Sequence, residues 1–322
     1  MTWRGRFLLA FVVVVLAAEL AARATIAATD APVLRWHDDA TQLKVAQMDE
    51  RGPVDMVIVG TSMAQQDIVP SVLAAALSDD TETPLSVYNA ALNGGVPVVM
   101  EPWLLDQVVD RLQPDTVVWG LSALDLSLEY GDATLDAYEQ ALETKSGVYA
   151  TADRWASRLS VLMADRRVLR DPDQLVGDGA DRNRRRLADA RAEVGPDGER
   201  QNFTVDTGIR QSQEIARRIT PFQLDRDDLA AIVRTVDALR ERGIEVVFVE
   251  LPVPNRFRQL YPGGPDQHDL VNATLTELAR ELDVEFITPE VTFTDPSFVD
   301  FTHLNAESAK SFTESLATSL QN

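Results

Sequence analysis

The sequence of residues 54–67 is VDMVIVGTSMAQQD, and it decides the fold class of the chain. Residues 54–60 form a short, almost continuously apolar run rich in β-branched side chains, which is typical of a parallel strand buried on both faces. Gly60 allows the chain to leave this strand sharply. Because Ser62 follows directly, we expect its hydroxyl group at an edge of the sheet.

Four more apolar runs repeat this pattern and alternate with helical stretches. This alternation predicts a three-layer α/β/α sandwich built on a parallel five-stranded sheet. In such sheets, functional sites form at the carboxyl ends of the strands. The further predicted strands are residues 85–89, 115–120, 244–251 and 284–287, and the predicted helices are residues 70–77, 100–112 and 269–282, one that starts at Asp225, and one that starts at Asn305.

The N-terminus carries Arg4 and Arg6, followed by the apolar run FLLAFVVVVLAAELAARA at residues 7–24. This pattern predicts either a transmembrane signal anchor or a cleaved signal peptide, and both place the remaining chain outside the cytoplasmic membrane. The small residues around Arg23 would suit a cleavage site. We favour the uncleaved anchor, because Glu19 and Arg23 can reach the outer membrane interface with their polar ends.

The sequence as a whole divides into three parts. We assign residues 1–30 to the anchor or signal peptide, 31–52 to a juxtamembrane stalk or helix, and 53–322 to one large domain. Within that domain, residues 133–220 are rich in Arg and Asp and have glycine-containing breaks, so we predict a helical insertion that covers one side of the sheet.

Composition excludes several classes of function. The net charge of -21 and the pI of about 4.5 argue against nucleic acid as a partner, because such binding relies on basic residues. The chain has no cysteine, which excludes disulfides and cysteine-ligated metals. It also has no P-loop, no GxGxxG after a strand and no HExxH, so we expect neither a cofactor nor a metal.

The chain has three histidines, His37, His268 and His303, of which only His303 has a carboxylate at a suitable spacing. Asp300 lies three residues earlier in FVDFTHLN, where it could orient one imidazole nitrogen while the other accepts a proton from Ser62. Taken singly, Ser62 could be a helix-capping turn residue and the histidine segment a surface turn. Their placement together at strand-to-helix transitions favours a catalytic site.

Three motifs resemble the SGNH/GDSL hydrolase superfamily: GTSM at residues 60–63, YNAALNG at 88–94 and DFTH at 300–303. The resemblance implies a flavodoxin-like SGNH fold and a catalytic triad in which Ser62 is the nucleophile, His303 the general base and Asp300 its orienting carboxylate. It also implies an oxyanion hole formed by the backbone amides of Ser62 and Gly94.

Two positions depart from the pattern of this superfamily. Thr61 stands where the family has the Asp of its first motif, and Leu124 in WGLSALD stands where its oxyanion Asn belongs. Asn93 is a candidate replacement donor, although it could equally be a turn residue beside Gly94. Loss of one oxyanion donor typically costs about 2.7–4 kcal/mol of transition-state stabilisation.

The chain is most similar in its motifs to membrane-anchored bacterial SGNH proteins that act on cell-surface polymers. This resemblance implies an esterase or O-acyltransferase whose substrate is an acylated glycan or another acyl ester outside the membrane. Two alternatives remain open, a catalytically impaired SGNH-like protein that binds glycan or assembles a surface complex, and a stalked structural protein.

Overall fold

The computed structural model describes residues 3–28, 39–78, 84–130, 138, 156, 159–164, 169, 173, 176–201 and 209–321. His37 and much of the predicted insertion lie outside them. The chain forms two compact units, one made of Met1–Gln42 and Glu139–Arg191 and the other of Leu43–Tyr138 and Ala192–Asn322. The first unit contains α1 (Trp3–Ala28) and α7 (Val161–Ala164), while α2 (Asp39–Arg51) and α8 (Gly177–Glu193) have residues in both.

The second unit contains the sheet, and its strands alternate with helices along the chain. The elements are β1 (Met56–Gly60), α3 (Ser62–Asp67), α4 (Pro70–Ser78), β2 (Val87–Asn89), α5 (Pro97–Trp103), α6 (Val109–Leu112), β3 (Thr116–Leu121), α9 (Ile209–Arg218), α10 (Arg226–Glu241), β4 (Glu245–Glu250), α11 (Asn255–Arg258), α12 (Gly264–Leu282), β5 (Glu285–Ile287) and α13 (Ala306–Leu320).

Within the described residues, five parallel strands form one sheet in the order β2-β1-β3-β4-β5. The predicted strands are confirmed, each with ends within two residues of those expected. Because β1 lies between β2 and β3, the loops that follow these three strands meet at one edge of the sheet. Ser62 stands at this edge, directly after β1.

Both faces of the sheet are covered, which confirms the predicted sandwich. One face packs with α3, α4 and α13, through contacts between strand residues such as Ile58 and Val118 and helix residues such as Leu73 and Phe312. On the other face, α10 contacts β4 and α5. Side chains alternate between the faces of a strand, and those on the second face are also buried: Val57, Val59, Val117, Trp119, Val246 and Phe248.

Helix α12 differs from its prediction, because it starts at Gly264 and not at residue 269. Pro265 occupies its first turn, where a missing amide hydrogen costs no helical hydrogen bond. The earlier start places His268 on the helix, buried against the rings of Phe257 and Tyr261. His268 therefore belongs to the packed core of this unit.

Helix α2, predicted as a juxtamembrane stalk or short helix, packs onto the sheet domain through a buried lysine. The amino group of Lys44 donates hydrogen bonds to the carbonyl oxygens of Asn89 and Gly198, each at 2.6 Å. Gln47 adds a bond to the carbonyl of Gly195 at 2.9 Å. Lys44 is only 1% exposed, so it fastens this helix and the 195–198 turn to the end of β2.

We predict that Lys44→Met lowers the free energy of unfolding by on the order of 3 kcal/mol, because it leaves two buried carbonyl oxygens without their donor. Lys310→Met is the matched control, since Lys310 is exposed and its Nζ atom lies 3.7 Å from Glu314 Oε1. Its effect should be below about 1 kcal/mol. Urea unfolding of the detergent-solubilised chain measures both, and equal effects would contradict the structural role of Lys44.

Candidate active site

Ser62 is the first residue of α3 and is held where β1 ends. Gly60 has a φ of 135°, and a Cβ atom there would collide with the carbonyl oxygen of Gly120 and the side chain of Ala64. Only glycine fits this turn. The turn points the start of α3 toward the edge of the sheet, as the sequence predicts, and Ser62 lies recessed with 8% of its surface exposed.

His303 reaches Ser62 from the other end of the chain. Its Nε2 atom lies 2.9 Å from Ser62 Oγ, and its Nδ1 atom lies 2.8 Å from Asp300 Oδ2. A carboxylate can only accept, so Nδ1 carries the proton and Nε2 accepts the Ser62 hydroxyl. The structure thus brings together the three residues that the sequence analysis selected, in the geometry that activates a serine.

Asp300 is held in its ionised form by the turn that follows it. Its Oδ1 atom accepts the backbone amides of Thr302 and His303, each at 2.8 Å. Burial alone would raise the pKa of Asp300, but the hydrogen bond and charge of His303, with these two amides, hold that pKa below its ordinary value. A charged Asp300 can therefore stabilise an imidazolium on His303.

Two side chains of α3 hold the segment that contains His303, and they do so at the next residue, Leu304. The Leu304 amide donates to Asp67 Oδ1 at 2.9 Å, and Gln66 Nε2 donates to the Leu304 carbonyl at 2.6 Å. Arg256 of α11 donates to the carbonyl of Asp300 in the same segment. The sequence analysis did not single out these three residues, because their partners are backbone groups distant in the sequence.

The candidate oxyanion residues lie in the turn after β2. The amide of Leu92 donates to the carbonyl of Gly60 at 3.0 Å, which ties this turn to the start of the nucleophile segment. Gly94 is buried with a φ of 72°, whereas Asn93 is exposed. The exposure of Asn93 favours the alternative in which it is a turn residue, and Gly94 keeps its candidacy as a backbone donor.

The 3₁₀ turn after β3 contains a buried carboxyl group. Leu124, the residue in the expected position of the oxyanion Asn, lies buried in the 3₁₀ turn Ala123–Leu126. Asp125 of the same turn accepts the Ser122 amide at 2.8 Å. Burial raises the pKa of Asp125 to about 7, although the hydrogen bonds of Ser122 oppose this shift.

Comparisons with known proteins give structural likenesses only. No family model and no curated protein matches the chain. A lipase/acylhydrolase from Enterococcus faecalis is 12% identical, with a TM-score of 0.40 over 83% of this chain and 95% of that one. An aryl esterase from M. smegmatis and a carbohydrate acetylesterase from Sinorhizobium meliloti are each 13% identical over 83% of this chain and 98% of their own, with TM-scores of 0.40 and 0.39.

We predict that Asp67→Leu slows the reaction of Ser62 with a fluorophosphonate by about tenfold or more, because the freed Leu304 amide lets His303 move from its position. Asp67→Asn should react at nearly the normal rate. Burial, together with the nearby charge of Asp300, raises the pKa of Asp67 well above its ordinary value, so the asparagine keeps an uncharged acceptor. Equal rates for both variants, measured by probe labelling over time, would contradict this role.

We also predict that the chain becomes less stable between pH 5 and pH 8. Burial raises the pKa of Asp125 to about 7 and that of Asp228 to about 8, while both groups lose their protons near pH 4 when unfolded. The folded state therefore binds more protons in this range, and its stability falls as pH rises.

Asp125→Asn should reduce this fall by on the order of 1–2 kcal/mol. The matched control is Asp237→Asn, since Asp237 is exposed on α10, and it should leave the pH dependence unchanged. Unfolding midpoints measured at pH 5, 6, 7 and 8 test the expectation, and a flat profile for the unmodified chain would contradict it.

Proposed function

We propose that this chain is a membrane-anchored serine hydrolase or O-acyltransferase of the SGNH/GDSL type, with Ser62, His303 and Asp300 as its catalytic triad. The observation that carries the proposal is the continuous hydrogen-bond path from Ser62 Oγ through His303 to Asp300, with contacts of 2.9 Å and 2.8 Å. A hydroxyl group, an imidazole and a charged carboxylate in this order are the parts that acyl transfer requires.

In the proposed reaction, Ser62 Oγ attacks the carbonyl carbon of an acyl ester while its proton moves to His303 Nε2. The backbone amides of Ser62 and Gly94 would stabilise the oxyanion of the tetrahedral intermediate. Collapse of this intermediate releases the alcohol, which takes the proton from His303. Water then completes hydrolysis, or a second hydroxyl group accepts the acyl chain, with His303 again as the base.

The N-terminal helix supports a location at the membrane. Helix α1 has 26 residues and is long and apolar enough to cross a bilayer. It begins with Arg4 and Arg6, and basic residues of this kind are expected on the cytoplasmic side. The proposed substrate is therefore an acyl ester outside the cytoplasmic membrane, such as an acylated cell-surface glycan. A site of this kind needs no metal and no cofactor.

The second candidate is a catalytically impaired protein of the same fold that binds glycan. The buried Leu124 and the exposed Asn93 favour it, because neither supplies a side-chain donor to an oxyanion. The two candidates differ in one measurable property, the reactivity of Ser62 toward an electrophile.

We predict that the detergent-solubilised chain reacts with a fluorophosphonate probe at Ser62. Ser62→Ala and His303→Ala should each remove nearly all labelling and ester turnover, roughly 10⁴-fold or more, and the double variant should be little worse, because the residues act as one unit. Asp300→Asn should retain more activity than either, since nucleophile and base remain.

Ser311→Ala is the matched control for these variants, because Ser311 is an exposed serine of α13, and it should label normally. Absence of labelling in the unmodified chain, together with retained binding of acylated glycan, would favour the binding protein. Labelling that survives Ser62→Ala would exclude the proposed nucleophile.

A further inference from the structure

One carboxylate in the apolar N-terminal helix has hydrogen-bond donors from a distant segment of the same unit. Glu19 of α1 accepts the Ser160 hydroxyl at 2.7 Å and the backbone amides of Val161 and Leu162 at 2.9 and 3.2 Å. Arg23, one turn further along α1, bonds Glu19 at 2.8 Å and the carbonyl of Leu159 at 3.0 Å. Residues 159–162 are thereby fixed to the anchor helix.

The length of the helix determines the depth at which this contact lies in a bilayer. Glu19 follows Arg6 by 13 positions, a rise of about 20 Å in an α-helix, whereas the hydrocarbon core is about 30 Å thick. When the charge of Arg6 stays at the inner surface, the backbone of Glu19 lies about 10 Å below the outer surface. Its side chain alone is too short to cover that distance, so the expected reach of Glu19 to the interface is incomplete. A carboxylate at that depth is costly unless it is paired and hydrogen-bonded, and the donors of residues 160–162 meet this need.

The side chains of the contacting segment suit a lipid environment. Residues 159–164 have the sequence LSVLMA, which contains no charge. Leu159 is 72% exposed, and Val161, Leu162 and Met163 are half-buried. Ala22 is buried in α1, on the same side as Glu19 and Arg23, and α1 contacts α7. The polar groups of the segment bond the anchor, and the apolar side chain of Leu159 points into the surroundings.

We infer that residues 159–164 enter the outer leaflet of the membrane beside α1 and form a second, short membrane contact whose partner is the lipid bilayer. This inference rests on the proposed membrane anchor but not on the proposed catalysis. It also requires that α1 stays on the mature chain, because Glu19 is lost if the N-terminus is cleaved near Arg23.

Cysteine chemistry tests the contact cleanly, because the chain contains no cysteine of its own. The variant with Ala22→Cys and Ser160→Cys keeps Glu19 in place, and a short thiol-specific cross-linker added to native membranes should join the two cysteines within one chain, as detected by peptide mapping. The control pair Val12→Cys and Ser160→Cys should not be joined, since Val12 lies about 15 Å from Ala22 along the helix axis.

A second measurement tests the depth. In outward-facing vesicles, Leu159→Cys should react with a membrane-impermeant maleimide at least ~10-fold more slowly than Arg185→Cys, an exposed position of α8. Adding Glu19→Leu should release the segment and bring the rate at Leu159→Cys close to that at Arg185→Cys.

The outcomes separate the inference from the proposals on which it depends. A chain shortened by removal of α1 would overturn both the anchor and this inference. A full-length chain in which Ala22→Cys and Ser160→Cys are not joined, Leu159→Cys reacts as fast as Arg185→Cys, or Glu19→Leu leaves the rate unchanged would overturn the inference alone. Esterase activity is not part of the readout.

Discussion

The amide and carbonyl of Leu304 are both held by side chains of the helix that begins with Ser62. This interaction matters because Ser62 and His303 are 241 positions apart in the sequence. Asp67 and Gln66 join the two segments by 2.9 Å and 2.6 Å bonds, on the same helix that presents the hydroxyl group. The distance between the Ser62 hydroxyl and the His303 imidazole therefore depends on one helix and one backbone position.

Asn89 links the Ser62 helix α3 to the rest of the sheet. Its side-chain amide donates to the carbonyl oxygens of Ala64, within α3, and of Ile68, which caps that helix, at 2.9 and 3.1 Å. Its backbone carbonyl accepts from the amino group of Lys44, and its backbone amide donates to the carbonyl of Asp197. One buried residue thus joins β2, α3, α2 and the turn after α8. Because polar groups buried without partners are costly, each of these contacts constrains the others.

The fold and the main site residues could be predicted from the sequence because their signals are local. The apolar composition of residues 54–60 is enough to predict a buried strand. The spacing of Asp300 and His303 is enough to predict that they form a pair. Lys44, Asp67 and Arg256 gave no such signal, since each acts on a backbone carbonyl or amide that only tertiary packing brings near. The predicted start of α12 was wrong because the Gly and Pro residues before position 269 are typical of a loop. Pro265 in fact lies in the first turn of the helix.

The burial of Lys44 also gives the protein an internal reporter of local opening. The chain has three lysines, at positions 44, 145 and 310, and Lys310 is exposed on α13. An amine-reactive reagent can reach Lys44 only when α2 and the 195–198 turn separate from the end of β2, so its modification rate follows that opening and not the exposure of a surface. Peptide mapping after a brief acetylation would thus report, without any engineered label, how often α2 and the 195–198 turn open away from β2.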